Sequence, residues 1–512
     1  MKFDAKRWSH LSEQQQAVIR WVIEDKGSLE LLARAGCGKT YTLMSVIDAI
    51  VEGKFGDVAI MAYNKKIADE IKVKLEKTGY NWKVAQAGTV HSFGFSVWRK
   101  VAPRVTVEAN KLHLICNDVA RSDVFYAENK DAIVKLCSLA KQRAVGHLAP
   151  IDESTVWFDI WDHFGLEDDV PESVSPIDVI TRAMNVYKIS LQQCREVVDF
   201  DDMILAPLYF KARFWPKDWI LVDESQDTNP ARRALALAML KPGTGRMIFA
   251  GDPAQAIYSF TGADSDSMNQ LRAATNAKTL PLTITRRCPK TVVALAKNFV
   301  PDFTAHESAP EGVVRAITVA TLDAEGLGKT DAILCRNTAP LIQTAYSLIA
   351  KGTACRVEGR EIGTGLIKLA RRWKLKTLDK LLLKLEDYLT RQTARYMSKG
   401  QEERVQPLTD QVECLRIVID RCLLAKKNTI DDLVSDIESM FGNTNDGEQP
   451  KVLTLSTGHK SKGREWKRVY ILGRAKYMPS PYAKKDWAII AESNLEYVMI
   501  TRAMEELIDI VI

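Results

Sequence analysis

The chain is poor in histidine, with seven, and its nine cysteines stand singly at positions 37, 116, 137, 194, 288, 335, 355, 414 and 422. There is no CxxC and no interleaved cysteine–histidine cluster. That spacing argues against a disulfide framework or a structural zinc site and for reduced thiols. No run of about 18 apolar residues and no N-terminal signal-type segment occurs, so the expected setting is cytoplasmic, or the host cytoplasm for a viral protein. Nor is the charge strongly of one sign: 71 basic against 65 acidic side chains leave a formal +6. A mild excess of that kind is only a hint of a polyanionic partner. What is present in quantity is length and apolar residues, 512 and 46%. Single cores rarely grow past about 250 to 300 residues, so several domains are expected.

The most informative stretch runs from Ser28 to Thr40. An apolar run that reads as a buried strand stops at Ala33-Arg34-Ala35-Gly36-Cys37-Gly38, and Lys39-Thr40 opens a helical pattern carried by Leu43, Val46, Ile47 and Ile50. This is a phosphate-loop pattern with alanine at the first glycine position. Backbone N–H groups from Ala35 to Thr40 face an anion, the Lys39 ammonium reaches the terminal phosphates, and the Thr40 hydroxyl can ligate magnesium. Upstream, Leu11 to Val18 begins an amphipathic helix on which Gln14 offers the paired donor and acceptor that an adenine edge requires. Downstream, Val58 to Ala62 reads as a strand that delivers Tyr63-Asn64-Lys65, and Thr89-Val90-His91-Ser92-Phe93 follows a further strand. Loops at strand C-terminal ends are where open α/β sheets bind ligands.

Residues 98–195 have helical periodicity and scattered tryptophans, Trp98, Trp157 and Trp161, which read as core. The apolar run Trp219 to Val222 then ends in Asp223-Glu224, the second half of a nucleotide site. Asp223 would hold the magnesium, and Glu224 would orient and deprotonate the attacking water. The strand Met247 to Ala250 delivers Gly251 to Ala263, which sets Gln255 close to two aromatics, Tyr258 and Phe260.

Taken in order, these blocks resemble the UvrD/Rep/PcrA-like helicases of superfamily 1 over nearly the whole chain. Gln14 falls at the family's Q motif, Ala33–Thr40 at motif I, Asn64-Lys65 at Ia, Thr89–Phe93 at Ib, and Val222–Asp227 at II. Gly251–Ala263 is similar to motif III and Leu282–Pro289 to motif IV, followed by Ile333–Asn337. Thr457–Trp466 is similar to motif V and Glu496–Ala503 to motif VI. The resemblance implies an α/β fold of two RecA-like P-loop domains, each with a mostly helical insertion. The first domain would comprise 1–97 and 196–282, with 98–195 as its insertion. The second would comprise 283–362 and 450–512, with 363–449 as a small helical one. It also implies ATP with Mg2+, and catalysis by Lys39, Glu224, Gln255, Arg287 and Arg502, the two arginines reaching the γ-phosphate only on closure of the lobes. Glu465 would bond the ribose. Arg286 stands where the family usually has a tyrosine stacked on adenine, and Arg34 where relatives commonly have glycine. Tyr63, Asn64, Lys65, Thr89, His91, Phe93, Tyr258, Phe260 and His459 would touch DNA.

The activity so implied is ATP-driven translocation along single-stranded DNA, 3′→5′, with unwinding at single-strand/duplex junctions. Two alternatives stay open: a DNA-stimulated ATPase that unwinds weakly, and a nucleotide-gated regulatory subunit of a nuclease complex. A protein partner in replication, repair or defence fits all three, and a membrane none. Because the chain ends ten residues after Arg502, no tethered nuclease is expected. Leu378, Leu381, Leu382, Leu385 and Leu389 mark one helix of the small insertion. A second, through Ile430 to Phe441, opens at a candidate cap, Thr429.

Overall fold

The computed structural model describes residues 2–62, 65–81, 83–171, 173–257, 266–398, 401–441 and 452–512. Contacts divide the chain into two compact units, one of residues 1–33 and 38–282, the other of residues 34–37 and 283–512.

Unit 1 is built on six strands, β1 (Leu29–Ala33), β2 (Val58–Ala62), β3 (Ala85–Thr89), β4 (Trp219–Val222), β5 (Arg246–Gly251) and β6 (Lys278–Leu282). All neighbours pair in parallel, in the order β3-β2-β4-β5-β1-β6. Helices cover such a sheet on both faces, which is why its central strands read as continuous apolar runs rather than alternating ones. Four helices matter for the site: α1 (Glu13–Glu24), α2 (Lys39–Glu52), α3 (Lys65–Thr78) and α4 (Val90–Val101). A capping box fixes the start of α1, with the Gln15 N–H donating to Ser12 Oγ and the Ser12 N–H donating to Gln15 Oε1.

Between α4 and β4 lie helices Lys111–Val119, Lys130–Gln142, Ser154–Phe164 and Pro176–Gln192. Their tryptophans are core: Trp98, Trp157 and Trp161 are buried, and the indole N–H of Trp98 donates to the Cys194 carbonyl at 2.7 Å. Two lysines are buried with them. Lys141 lies 2.6 Å from Asp199 and 2.7 Å from Asp202, and Lys111 lies 2.7 Å from the other oxygen of Asp202. Charges removed from water need such partners. This cluster ties two helices of the segment to Asp199 and to the helix Asp202–Tyr209 that follows it.

Unit 2 carries a second all-parallel sheet, β7 (Val313–Thr318), β8 (Asp331–Cys335), β9 (Cys355–Val357), β10 (Leu453–Thr457), β11 (Trp466–Leu472) and β12 (Ala503–Val511). Its order is β7-β12-β11-β8-β10-β9. Helices Arg360–Arg371, Leu378–Ser398, Val405–Leu424 and Ile430–Phe441 stand between β9 and β10. Leu378, Leu381 and Leu385 are buried in one core with Leu433 and Ile437. Thr429 caps the last of these helices, its Oγ1 accepting from the Asp432 N–H. No helix among the described residues is long and apolar enough to cross a membrane.

Candidate nucleotide site

The phosphate loop leaves β1 and turns through two glycines in the left-handed region, Gly36 at φ +69° and Gly38 at φ +77°. Side chains rarely adopt that conformation, so the tight turn into α2 depends on glycine at both points. Gly38 has a second reason: a Cβ there would lie 3.1 Å from the amide nitrogen of Gln15. That amide donates to Thr42 Oγ1 at 3.0 Å, and Thr42 in turn donates to the Gly38 carbonyl. Gln15, which is buried, thus meets the loop through Thr42 and Gly38. Gln14 is half-buried at the neighbouring position of α1.

Lys39 opens α2, and its Nζ lies 3.1 Å from Asp223 Oδ1 and also pairs with Glu224. Burial opposes the charge on Lys39. The two carboxylates outweigh it and raise the ammonium's pKa above its ordinary value. Asp223, at the end of β4, is 1% exposed, and burial pushes its carboxyl above the usual range against the pull of Lys39. Its second oxygen, Oδ2, is buried with no hydrogen-bond partner among the described residues. A buried carboxylate oxygen left over beside a phosphate loop suits a hard cation, and Thr40 sits half-buried in the first turn of α2. Asp223 and Thr40 thus fit a magnesium ion, which would bring charge neutralisation of the phosphates.

Glu224 adopts the left-handed conformation, φ 51° and ψ 45°, and its carboxylate accepts from the Gln226 amide at 2.6 Å. Gln255 lies in the short turn after β5 and donates to Asp252 Oδ2 at 2.9 Å. Lys39, Asp223, Glu224 and Gln255 are thus gathered at the C-terminal ends of β1, β4 and β5.

In unit 2, Arg287 pairs with Glu465 at 2.5 Å, so two residues expected at different parts of a nucleotide meet each other. Arg502 is 1% exposed and donates to the Val498 and Arg464 carbonyls and to the Thr501 hydroxyl. Burial, helped by the neighbouring Arg287, lowers its pKa to about 10. Arg286 is exposed. By contact, Arg34, Ala35, Gly36 and Cys37 group with this unit. Arg34 there forms a two-pronged pair with Asp302, 2.9 and 3.0 Å, which accounts for an arginine at this place. The Ala35 N–H, expected to face phosphate, donates to the Tyr497 hydroxyl at 3.2 Å. Cys37 is buried.

Of the expected DNA contacts, Tyr63, Asn64, Tyr258 and Phe260 lie outside the described residues. Lys65 is exposed at the start of α3. Thr89 is the cap of α4, accepting from the Ser92 N–H at 3.2 Å. Phe93 is 8% exposed and is buried with the core of unit 1. The reason is helical periodicity: Phe93 shares its face with Val90 and Val97. His91 and His459 are half-buried. Burial, with Arg232 and Arg336 respectively, lowers their pKa to about 4 and about 3, so both are neutral near pH 7.

A parallel sheet that delivers a phosphate loop and a facing acidic pair defines a P-loop nucleotide-binding protein. Residues 11–276 match the UvrD/REP helicase N-terminal domain, and residues 335–512 match the UvrD-like helicase C-terminal domain. The chain belongs to the UvrD/REP helicase family.

Among similar proteins, DNA helicase IV of Escherichia coli K12 is 28% identical over 289 residues, 48% of this chain and 41% of the relative. A probable DNA helicase II homolog of Mycoplasma capricolum is 25% identical over 347 residues, 61% of this chain and 45% of the relative. The ATP-dependent DNA helicase PcrA of Staphylococcus aureus Mu50 is 24% identical over 332 residues, 60% and 42%. The matched stretches thus span less than half the length of these relatives. Sequence reasoning missed Gln15, Gln226, Asp252 and Tyr497. Gln15 carried a signal in its place three and four residues before the buried Val18 and Ile19, and Gln226, Asp252 and Tyr497 lie inside the blocks similar to motifs II, III and VI.

Proposed function

We propose that this protein is an ATP-dependent DNA translocase that moves 3′→5′ along a single strand and unwinds duplex at junctions. The observation that carries the reading is Lys39 held against Asp223 and Glu224 at the mouth of the phosphate loop. In this reading ATP phosphates compete for the Lys39 ammonium, and Asp223 and Thr40 hold Mg2+. Glu224 takes the proton of the attacking water. Gln255, Arg287 and Arg502 add donors for charge that develops on the γ-phosphate, the kind of stabilisation that dominates phosphoryl transfer. Membership of the family and the names of the relatives support DNA as the track and ATP as the fuel.

The test is ATP hydrolysis with and without single-stranded DNA, together with strand displacement on 3′-tailed, 5′-tailed and blunt duplexes. We expect hydrolysis stimulated by single strands and displacement of the 3′-tailed substrate alone. Stimulated hydrolysis without displacement would favour a translocase that unwinds poorly, and hydrolysis indifferent to DNA would overturn the reading.

A further inference from the structure

The carboxamide of Gln226 bridges two parts of unit 1 that the sequence separates. Its Nε2 donates to Glu224 Oε2 at 2.6 Å, and its Oε1 accepts from the backbone N–H of Asp252 at 3.2 Å. Asp252 then receives Gln255 on Oδ2 at 2.9 Å and caps the short turn that carries it, accepting from the Ala254 N–H at 3.2 Å. Gln226 is 3% exposed and Asp252 1%. The chain of bonds therefore runs from the partly exposed Glu224 through the buried Gln226 and Asp252 to Gln255. Buried polar groups joined in this way hold one another in place.

Gly251 shows that the fit is close. A Cβ at that position would lie 2.5 Å from Gln226 Oε1, 2.7 Å from Ser225 Oγ and 2.7 Å from Met268 Sδ. The amide occupies the space that a side chain at 251 would need. Glu224, for its part, sits in the left-handed backbone region, where a non-glycine residue is held only if its surroundings insist. An N–H donor at 2.6 Å on its carboxylate is such a constraint.

We propose that Gln226 is a positioning residue for hydrolysis: one carboxamide aims the Glu224 carboxylate and locks the Gln255 turn to it, so the two groups are set as a unit. The inference rests on the proposed ATPase reading for its kinetic consequence and on geometry alone for the lock. A donor and an acceptor are needed together. Gln226→Met keeps the length and loses both, whereas Gln226→Glu keeps an acceptor for the Asp252 N–H and sets a carboxylate against Glu224.

The experiment has two readouts on the full chain. Amide hydrogen exchange over 247–257 reads the lock without any turnover. We expect the Asp252 amide to exchange at least tenfold faster in Gln226→Met and near the parent rate in Gln226→Glu. Steady-state ATPase is expected to show kcat reduced about tenfold or more in both variants, with the KM for ATP within twofold of the parent. Unchanged exchange in Gln226→Met would overturn the lock, and kcat within twofold of the parent in both variants would overturn the aiming of Glu224. If Gln226→Met does not fold, Gln226→Glu decides through kcat, and Gly251→Ala, which crowds the same oxygen, decides through Asp252 exchange. A parent that hydrolyses no ATP would sink the functional reading and leave the exchange result to judge the lock.

Discussion

Lys39 and Asp223 stand 3.1 Å apart across the ends of β1 and β4, and Asp223 keeps a second oxygen buried without a hydrogen-bond partner among the described residues. Removing the ammonium leaves that carboxylate and Glu224 facing each other with no cation between them. Lys39→Ala is expected to abolish ATP hydrolysis. It should also lower the stability of unit 1 by on the order of 3 kcal/mol, the cost of orphaning a buried charge. ATPase assays and denaturant unfolding check the two parts separately. Turnover near the parent rate would sink the catalytic assignment.

Gln15 and Gln14 make a paired test. Gln15→Leu removes the bond to Thr42 and half of the capping box, and it should cost about 1 to 3 kcal/mol. It should also weaken the binding of a fluorescent ATP analogue. Gln14→Leu should change stability and binding less. Equal losses, or a larger loss at Gln14, would support Gln14 as the adenine-reading residue.

His91 predicts a pH dependence. Its pKa is lowered to about 4 by burial and Arg232, while an exposed imidazole titrates near 6.5. Between those values the unfolded chain binds a proton that the folded chain does not. The stabilisation is whole above about 6.5 and is lost as pH falls towards 4, by up to about 1.4 kcal/mol per pH unit. His91→Gln should flatten the acid limb of stability, measured by urea midpoints at pH 5 and pH 7. An unchanged difference between the two midpoints would mean that His91 is not held neutral.

Gly251→Ala should destabilise unit 1 by about 1 to 3 kcal/mol, because the new methyl meets Gln226, Ser225 and Met268 closer than van der Waals contact allows. A thermal melt within a degree of the parent would show that this corner has room, against the close fit described for Gln226.

Much of the fold was readable in advance because its signals are local. β1, β2, β4 and β5 are apolar runs ending in glycine or polar turns, and α2 announces itself by Lys39-Thr40 and the spacing of Leu43, Val46, Ile47 and Ile50. Thr429 was legible as a cap from its place before an apolar period. The choice between Gln14 and Gln15 was also written in that period, since Gln15 shares the face of Val18, Ile19 and Val22. Phe93 is a similar case, a motif aromatic whose helical spacing with Val90 and Val97 places it in the core.

The sequence by itself determined the individual strands and helices around the phosphate loop and the acidic pair, because strand and helix periods and turn residues act over a few positions, while the arrangement in two α/β units was implied by the family resemblance. Only the tertiary structure decided who meets whom. Arg34 finds Asp302 after 268 residues, and the Ala35 amide finds Tyr497 after 462. Glu465 takes Arg287, and the Asp252 amide finds Gln226. Those pairings depend on the direction and depth of side chains after packing, which no local pattern encodes.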